Sequence, residues 1–466
     1  MFLTRRFYIV AIVVILCIAS GFLWSPMFFI GKILLWLFLT AVVVDVVLLG
    51  ARSKGQGARG IYAQRILSDR FSNGDDNEVR LRIENNYPFT VHVEVIDEVP
   101  VIFQRRDISF HAIVPSREAQ TIKYRLRPTR RGSYGFGQIR VFTASPLGLL
   151  FRRFTLGEPH DVKVYPSFLM LHQYELLAIS NNLTELGIKR IRRVGHHTDF
   201  EQIKDYVAGD DFRTINWKAS ARRSKLMVNV YQDERSQHIY NVIDKGRVMQ
   251  QAFNGMTLLD YAINASLVLS YIAMNKEDRA GLITFNEQFD TFVPASKQPG
   301  HMQLLMETLY AQQTTFGETD YSSLVIHLNK YVNKRSLIVL YTNFSGMVSM
   351  KRQLPFLQQI NSRHRLLVVF FEDEQLKEYI QAPLNPPKKG DLPTDSGSKS
   401  PLPGRFGGVS TESYYRHVMA DRFVYEQRLI VSTLRQHGIL SLLTTPQQLS
   451  VDVINRYLEM KQRQQI

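Results

Sequence analysis

The chain has 466 residues, 45% of them hydrophobic and 21% charged; that length exceeds one ordinary core, and that balance excludes both wholesale disorder and a polytopic membrane protein. Lysine and arginine number 57 against 42 acidic residues, a formal charge of +15, which suits anionic lipid, nucleic acid or an acidic protein without choosing among them. A single cysteine, Cys17, excludes an intramolecular disulfide and any multi-cysteine metal site.

The chain opens on two apolar runs, Phe7 to Trp24 and Met27 to Leu49, separated only by Ser25 and Pro26. Each is long enough for a bilayer-spanning helix, about 20 residues, so 1–50 reads as a two-helix transmembrane hairpin. Arg5 and Arg6 precede the first run, Arg52, Lys54 and Arg59 follow the second, and the turn between them carries no base. The positive-inside rule then places both ends and the soluble bulk in the cytoplasm. A cleaved signal peptide is the weaker reading, because a second full-length apolar run follows at once. Lys32 and Asp45 stand near opposite ends of the second run, where each is expected to reach headgroup water.

Over 51–170 the period changes to two. Glu78 to Glu84, Val91 to Ile96 and Thr121 to Leu126 alternate apolar and polar residues between turn formers such as Asn85-Asn86 and Pro115-Ser116. Short strands at that spacing predict an antiparallel β-sandwich-like domain. The glycine-rich stretch Arg130 to Gly137 lacks the ending of a phosphate loop and is expected to be a hairpin turn.

A polar segment, 171–235, bridges this domain to the next. Its densest part runs Gly195-His196-His197-Thr198-Asp199-Phe200-Glu201, then Gly209-Asp210-Asp211-Phe212-Arg213-Thr214-Ile215-Asn216-Trp217-Lys218-Ala219-Ser220-Ala221-Arg222. The expectation is a structural brace in which Asp210, Asp211, Arg213 and Arg222 pair internally while Trp217 enters a core. A metal held by His196, His197, Asp199 and Glu201 matches no zinc spacing. The basic pairs around Lys189, Arg192 and Arg222 come without any nucleic-acid signature, so a membrane- or partner-facing surface is preferred to nucleic acid. A hydrolase working through His196 or His197 and nearby carboxylates is the enzymatic alternative, but the chain lacks a G-x-S-x-G elbow, H-E-x-x-H and a P-loop.

From 236 to 466 near-continuous apolar strand candidates alternate with helical stretches: Ile239 to Ile243, a helix near Leu258 to Met274, Ala280 to Phe285, Ser336 to Tyr341, a helix near Met350 to Asn361, Leu366 to Phe371, a helix near Tyr414 to Gln436, Leu440 to Leu443 and a last helix. That order predicts an α/β domain on a parallel, doubly wound sheet. A Pro-, Gly- and Ser-rich excursion at 381–408 reads as a flexible insertion.

The order G-x(3)-D-F, then K-D-Y-x(2)-G-D-D-x-R-x-I-N-W-K-A-S-A-R, then Leu226-Met227-Val228 and Glu234 resembles the signature of a widespread bacterial family, domain of unknown function fifty-eight. The resemblance extends to the layout of nearly the whole chain and implies a multidomain architecture ending in a von Willebrand factor A-like, Rossmann-type α/β domain. It implies a partner as well, an AAA+ ATPase of the MoxR type or its clients, and a role in protein assembly or maturation as a non-enzymatic adaptor. Such a domain usually binds Mg2+ through a D-x-S-x-S loop, a threonine and a second aspartate. Here Asp244 matches the first aspartate and Thr319 the threonine, but Gly246 and Val248 replace the serines and Asn343 replaces the second aspartate. Lys245 and Arg247 add repulsion toward a cation. The expectation is therefore a degenerate, metal-free edge, at Asp244, Gly246, Val248, Thr319 and Asn343, that still serves as a partner surface. Asp244 itself is expected to pair with Lys245 or Arg247, or to cap the segment after it.

Overall fold

The computed structural model describes residues 1–22, 24–50, 60–103, 108–169, 199–207, 210, 212–232, 236–373, 376, 380, 411–463 and 465. They divide into two compact units, Met1–Phe168 and Leu169–Ile466. Arg52, Lys54, Arg59 and the insertion at 381–408 lie outside the described residues.

The first unit begins with a two-residue strand, β1 (Phe2–Leu3), and two helices, α1 (Arg5–Ser20) and α2 (Ser25–Gly50). Thr4 caps α1: its hydroxyl oxygen accepts the Phe7 N–H at 3.3 Å, and its hydrogen faces the carbonyls of Gly148 and Leu149 at 2.7 and 2.9 Å. The two helices touch along their length. The rings of Phe7 and Phe38 lie 5.1 Å apart, and Gly31 gives Ile18 room, since a Cβ there would stand 2.8 Å from Ile18 Cγ1. Pro26–Gly50 is long and apolar enough to cross a membrane.

Ten strands follow: β2 (Ile61–Ile66), β3 (Arg70–Ser72), β4 (Asn77–Asn85), β5 (Val91–Asp97), β6 (Ser109–Val114), β7 (Ala119–Leu126), β8 (Gly132–Phe136), β9 (Ile139–Ala144), β10 (Leu150–Leu156) and β11 (His160–Tyr165). They form sheets ordered β1-β10-β9-β5-β6, β2-β4-β7 and β3-β11-β8. The inward residues of period-two strands, such as Val79, Leu81 and Ile83 of β4 and Val91, Val93 and Val95 of β5, share one core. Inside it Arg65 and Tyr124 both bond the carboxylate of Asp97, so the buried charge is paired and hydrogen-bonded as burial demands. The hairpin expected at 130–137 is absent: Gly132–Phe136 is itself a strand that pairs with β11, and the next strand joins the other sheet beside β5 and β10. Two strands that follow closely in sequence need not pair when each extends a different layer.

Asp45 does not reach headgroup water. It is fully buried, and its carboxylate accepts the N–H groups of Leu149 and Leu150 at 3.1 and 2.8 Å and the hydroxyl of Ser145. One turn further on, the Leu49 carbonyl accepts from Tyr87 Oη at 3.0 Å and Arg152 Nη1 at 2.7 Å. The end of α2 is thus locked to the β-domain.

The second unit contains β12 (Asp199–Asp205), α3 (Trp217–Arg223) and β13 (Met227–Gln232), the strands pairing antiparallel. Then come β14 (His238–Asp244), a small hairpin of β15 (Ala252–Phe253) and β16 (Met256–Thr257), α4 (Leu258–Asn275), β17 (Arg279–Phe285), β18 (Phe289–Ser296), α5 (His301–Tyr310), α6 (Tyr321–Tyr331), β19 (Leu337–Tyr341), α7 (Met347–Arg363), β20 (Arg365–Phe371), α8 (Thr411–Gln436), β21 (Leu440–Thr444) and α9 (Leu449–Gln462). The six-stranded sheet runs β18-β17-β14-β19-β20-β21, parallel except for the edge strand β18. Helices α4, α5 and α9 pack one face and α6, α7 and α8 the other. That two-sided cover is why the central strands are apolar at almost every position.

Candidate functional site

In a sheet of this kind a crevice opens at the carboxyl ends of the strands where the chain changes direction. Here that point lies between β14 and β19: after β14 the chain adds β17 and β18 on one side, then returns to β19 on the other. Asp244 ends β14, and Thr342 and Asn343 follow β19.

Asp244 is fully buried. Its Oδ1 accepts the Gly246 N–H and the Thr319 hydroxyl, each at 2.8 Å, and its Oδ2 accepts the Thr342 hydroxyl at 2.7 Å. Tyr321 Oη lies 2.8 Å from Thr342 Oγ1 and 3.4 Å from Asp244 Oδ2. Each hydroxyl has one hydrogen, so a chain from Tyr321 to Thr342 to Asp244 satisfies all three groups. Burial raises the Asp244 carboxyl above its ordinary range, against the pull of these donors. Burial, with the neighbouring Asp244, pushes the Tyr321 hydroxyl up well above its usual value.

Asp244 does not pair with Lys245 or Arg247; it caps the turn that follows it. The Lys245 ammonium turns away, almost wholly buried, toward Asp290 Oδ2 at 2.7 Å, Gln312 Oε1 at 3.1 Å and the Gln313 carbonyl at 3.1 Å. Burial alone would raise Asp290, but the bonds from Lys245, Thr291 and Thr284 outweigh it and hold that carboxyl below its ordinary value. The backbone closes the same edge, with Lys245 N–H on the Phe285 carbonyl and Arg247 N–H on the Gly317 carbonyl, both 2.9 Å.

The structure brings Asp244, Gly246 and Thr319 together and sets the other two apart. Val248 packs against the apolar core, and Asn343 Oδ1 accepts the Phe344 N–H at 3.0 Å. Glycine at 246 is required by space: a Cβ there would overlap Thr319 Oγ1 and stand 2.9 Å from Asp244 Oδ1. A hard divalent ion takes about six oxygens with open lone pairs. At this edge Asp244, Thr319 and Thr342 bring side-chain oxygens together, while positions 246 and 248 offer none, two fewer than a D-x-S-x-S loop supplies. Thr342 and Tyr321 complete the network; only their nearness to Asn343 and Thr319 marks them along the chain.

The polar signature folds as a β-hairpin module. Asn216 caps α3, its Oδ1 accepting the Ala219 N–H at 2.9 Å while its amide donates to Asn229 Oδ1 at 2.8 Å. Ser220, the buried residue of α3, donates to the Asn216 carbonyl at 2.8 Å and accepts the Met227 N–H at 2.9 Å. Asp210 receives Lys204 Nζ and the Val207 N–H, each at 2.9 Å. Trp217 does not enter a core. It is 70% exposed and Phe212 73% exposed, and Arg213, Lys218, Ala221, Arg222, Arg223 and Lys225 are exposed with them. Gly209, Asp211, His196, His197 and the basic pairs at 189–193 lie outside the described residues. Among the described residues, no group of three or more His, Cys, Asp or Glu is placed to hold a metal ion.

Comparison with known proteins places this module and the first strands of the sheet in a recognised context. The chain is 26% identical over 195 residues to the uncharacterized protein YeaD of Bacillus subtilis, covering 41% of this chain and 46% of that protein. It is 23% identical over 166 residues to the uncharacterized protein Mb1516 of Mycobacterium bovis, covering 35% and 51%. The chain thus spans about half the length of these curated relatives. Among solved structures, the conserved hypothetical protein BatB of Bacteroides thetaiotaomicron aligns over 49% of this chain and all of its own, at 10% identity and a TM-score of 0.29. A CARDB domain from Pyrococcus furiosus aligns over 22% of this chain and 91% of its own, at 13% identity and a TM-score of 0.17. Residues 202–385 match the family described as "Protein of unknown function DUF58", a narrower reach than the nearly whole-chain resemblance expected from the signature.

Proposed function

We propose that the chain is a membrane-anchored, non-enzymatic interaction module that grips a protein partner on the cytoplasmic face. The observation that carries this reading is the exposure of Phe212 and Trp217 among Arg213, Lys218 and Arg222. Trp and Arg dominate binding hot spots, and an aromatic pair left in water beside cations suits an acidic, apolar patch on a partner. The family resemblance supplies the candidate, an AAA+ ATPase of the MoxR type or a client it remodels. The closed network at Asp244 supports a metal-independent role: it pins the turns after β14 and before α6, so the sheet edge stays rigid without an ion.

The anchor is read as a two-pass hairpin. At 1.5 Å per residue α2, with 26 residues, is about 39 Å long and outruns a hydrocarbon core of about 30 Å. The excess of about 9 Å matches the stretch from Asp45 to Gly50, where Asp45 is buried in the β-domain rather than in lipid. The 16 residues of α1 reach about 24 Å, and Gly21 and Phe22 extend its path.

Binding of the detergent-purified full chain to a MoxR-type ATPase from the same organism, measured by surface plasmon resonance, tests the reading. Replacing both Phe212 and Trp217 by alanine is expected to weaken binding by roughly thirtyfold or more, the scale of one hot-spot truncation of about 2 kcal/mol. Equal binding by wild type and the double variant, or none by either, would sink the reading.

A further inference from the structure

The outer face of the five-stranded sheet is graded along the strands. Register aligns Phe2, Phe151, Ala144, His92 and Ile113 in one row across β1, β10, β9, β5 and β6. The next row, Arg153, Phe142, Glu94 and His111, is polar at three of its four positions. The first row is the one next to the helices, because Thr4 follows β1 directly and caps α1. The two ends of this row are uncovered: Ile113 is 57% exposed and Phe2 47% exposed, and Leu147 in the adjoining loop is exposed as well. A groove of about 880 Å³ runs over this face from Thr4 past Phe151, Ala144 and Ile113.

Three exposed arginines border the row. Arg5 and Arg6 form the first turn of α1, Arg6 lies against Gly148, and the Arg153 guanidinium sits over the Phe2 ring at 5.9 Å. None of the three is within ion-pair distance of a carboxylate among the described residues; Asp45 is engaged by Leu149, Leu150 and Ser145, and Glu94 stands two strands from Arg153 in the adjoining row. An apolar row that continues into a bilayer-length helix pair, with unneutralised arginines beside it, matches the chemistry of the headgroup layer.

We propose that this row and Arg5, Arg6 and Arg153 form a lipid-contacting face that lies on the anionic headgroups of the same bilayer that holds α1 and α2. The β-domain then rests on the membrane and does not stand off it. This rests on the anchor reading, and the test separates the two. In a Cys17→Ser background, nitroxide labels are placed singly at Ile113→Cys, at Val101→Cys beyond the far end of β5, and at Leu39→Cys within α2. The full chain is reconstituted in nanodiscs of phosphatidylcholine alone, or with a quarter of the lipid replaced by phosphatidylglycerol.

In anionic discs the label at 113 is expected to collide with a water-soluble nickel chelate roughly threefold or more less often than the label at 101. In neutral discs, or after Arg5→Gln, Arg6→Gln and Arg153→Gln together, that protection is expected to disappear. Equal access at 113 and 101 in anionic discs overturns the proposal, and so does protection that ignores lipid charge, since the arginines then select nothing. A label at 39 open to the chelate in both lipids overturns the anchor reading itself, whereas a shielded 39 with an open 113 overturns only the lipid face.

Discussion

Thr319 and Gly246 settle the character of the sheet edge between them. The Thr319 hydroxyl occupies the space that any side chain at 246 would need, and it serves Asp244 from there. Gly246→Ser is therefore expected to cost roughly 1–3 kcal/mol, as overpacking does in a filled site. Thr319→Ala alone removes one donor from a buried carboxyl and is expected to cost about 1–3 kcal/mol. Combined, the two changes relieve the overlap and put a serine hydroxyl near Asp244 Oδ1, so the double variant is expected to lose at least about 1 kcal/mol less than the sum. Guanidinium midpoints of the full chain in detergent measure the cycle, and strict additivity would show that the overlap does not govern this edge. Asp244, Gly246 and Thr319 were singled out in sequence through the family resemblance, which aligned them with a D-x-S-x-S loop and its threonine. Thr342 and Tyr321 were not, since the hydroxyl chain linking them is a tertiary contact between residues 21 apart in sequence. Trp217 misled for a related reason. In a seven-residue helix there are about two turns, too few for an apolar period to say which side faces in, and the buried position went to Ser220, which holds both ends of the turn.

At the scale of elements, the strands buried on both faces were the easiest to read. Leu366 to Phe371 is an unbroken apolar run, and Ile239 to Ile243 is broken only by Asn241, because helices cover both faces of the sheet, and they fall inside β20 and β14. The edge strand β18, Phe289–Ser296, escaped notice. It carries Pro294, alternates irregularly and pairs on one side only, as edge strands do. The join between α2 and the β-domain was equally hidden, because an aspartate in an apolar helix signals cost and gives no partner. Its partners are two backbone N–H groups and a serine roughly a hundred residues on. Asp45→Ala strands all three donors and is expected to destabilise the join by roughly 3 kcal/mol. Hydrogen exchange reads this directly: the Leu149 and Leu150 amides are expected to exchange at least about tenfold faster, while Ile83 in the middle of β4 keeps its protection. Unchanged exchange at Leu149 and Leu150 would mean that Asp45 does not hold the loop.

For the whole molecule, orientation follows from where the ends of the two helices lie. Thr4 at the start of α1 and Leu49 at the end of α2 both bond the same β-domain, through Gly148 or Leu149 and through Tyr87 and Arg152. On the proposed two-pass anchor, both ends therefore face the same side of the bilayer, and the turn between the helices faces the other. Moving Arg5 and Arg6 across the membrane instead of leaving them inside opposes the charge bias that orients short hairpins, and the excess of 57 basic over 42 acidic residues favours the leaflet rich in anionic lipid. The turn residue Phe22 is 97% exposed and Val101 90% exposed, so cysteines placed there report on side and not on burial. In a Cys17→Ser background, a membrane-impermeant maleimide added to intact, wall-stripped cells is expected to label Phe22→Cys and to spare Val101→Cys until the cells are lysed. Labelling at 101 before lysis, with 22 protected, would put the β-domain outside, where no cytoplasmic ATPase could reach the Phe212 and Trp217 surface.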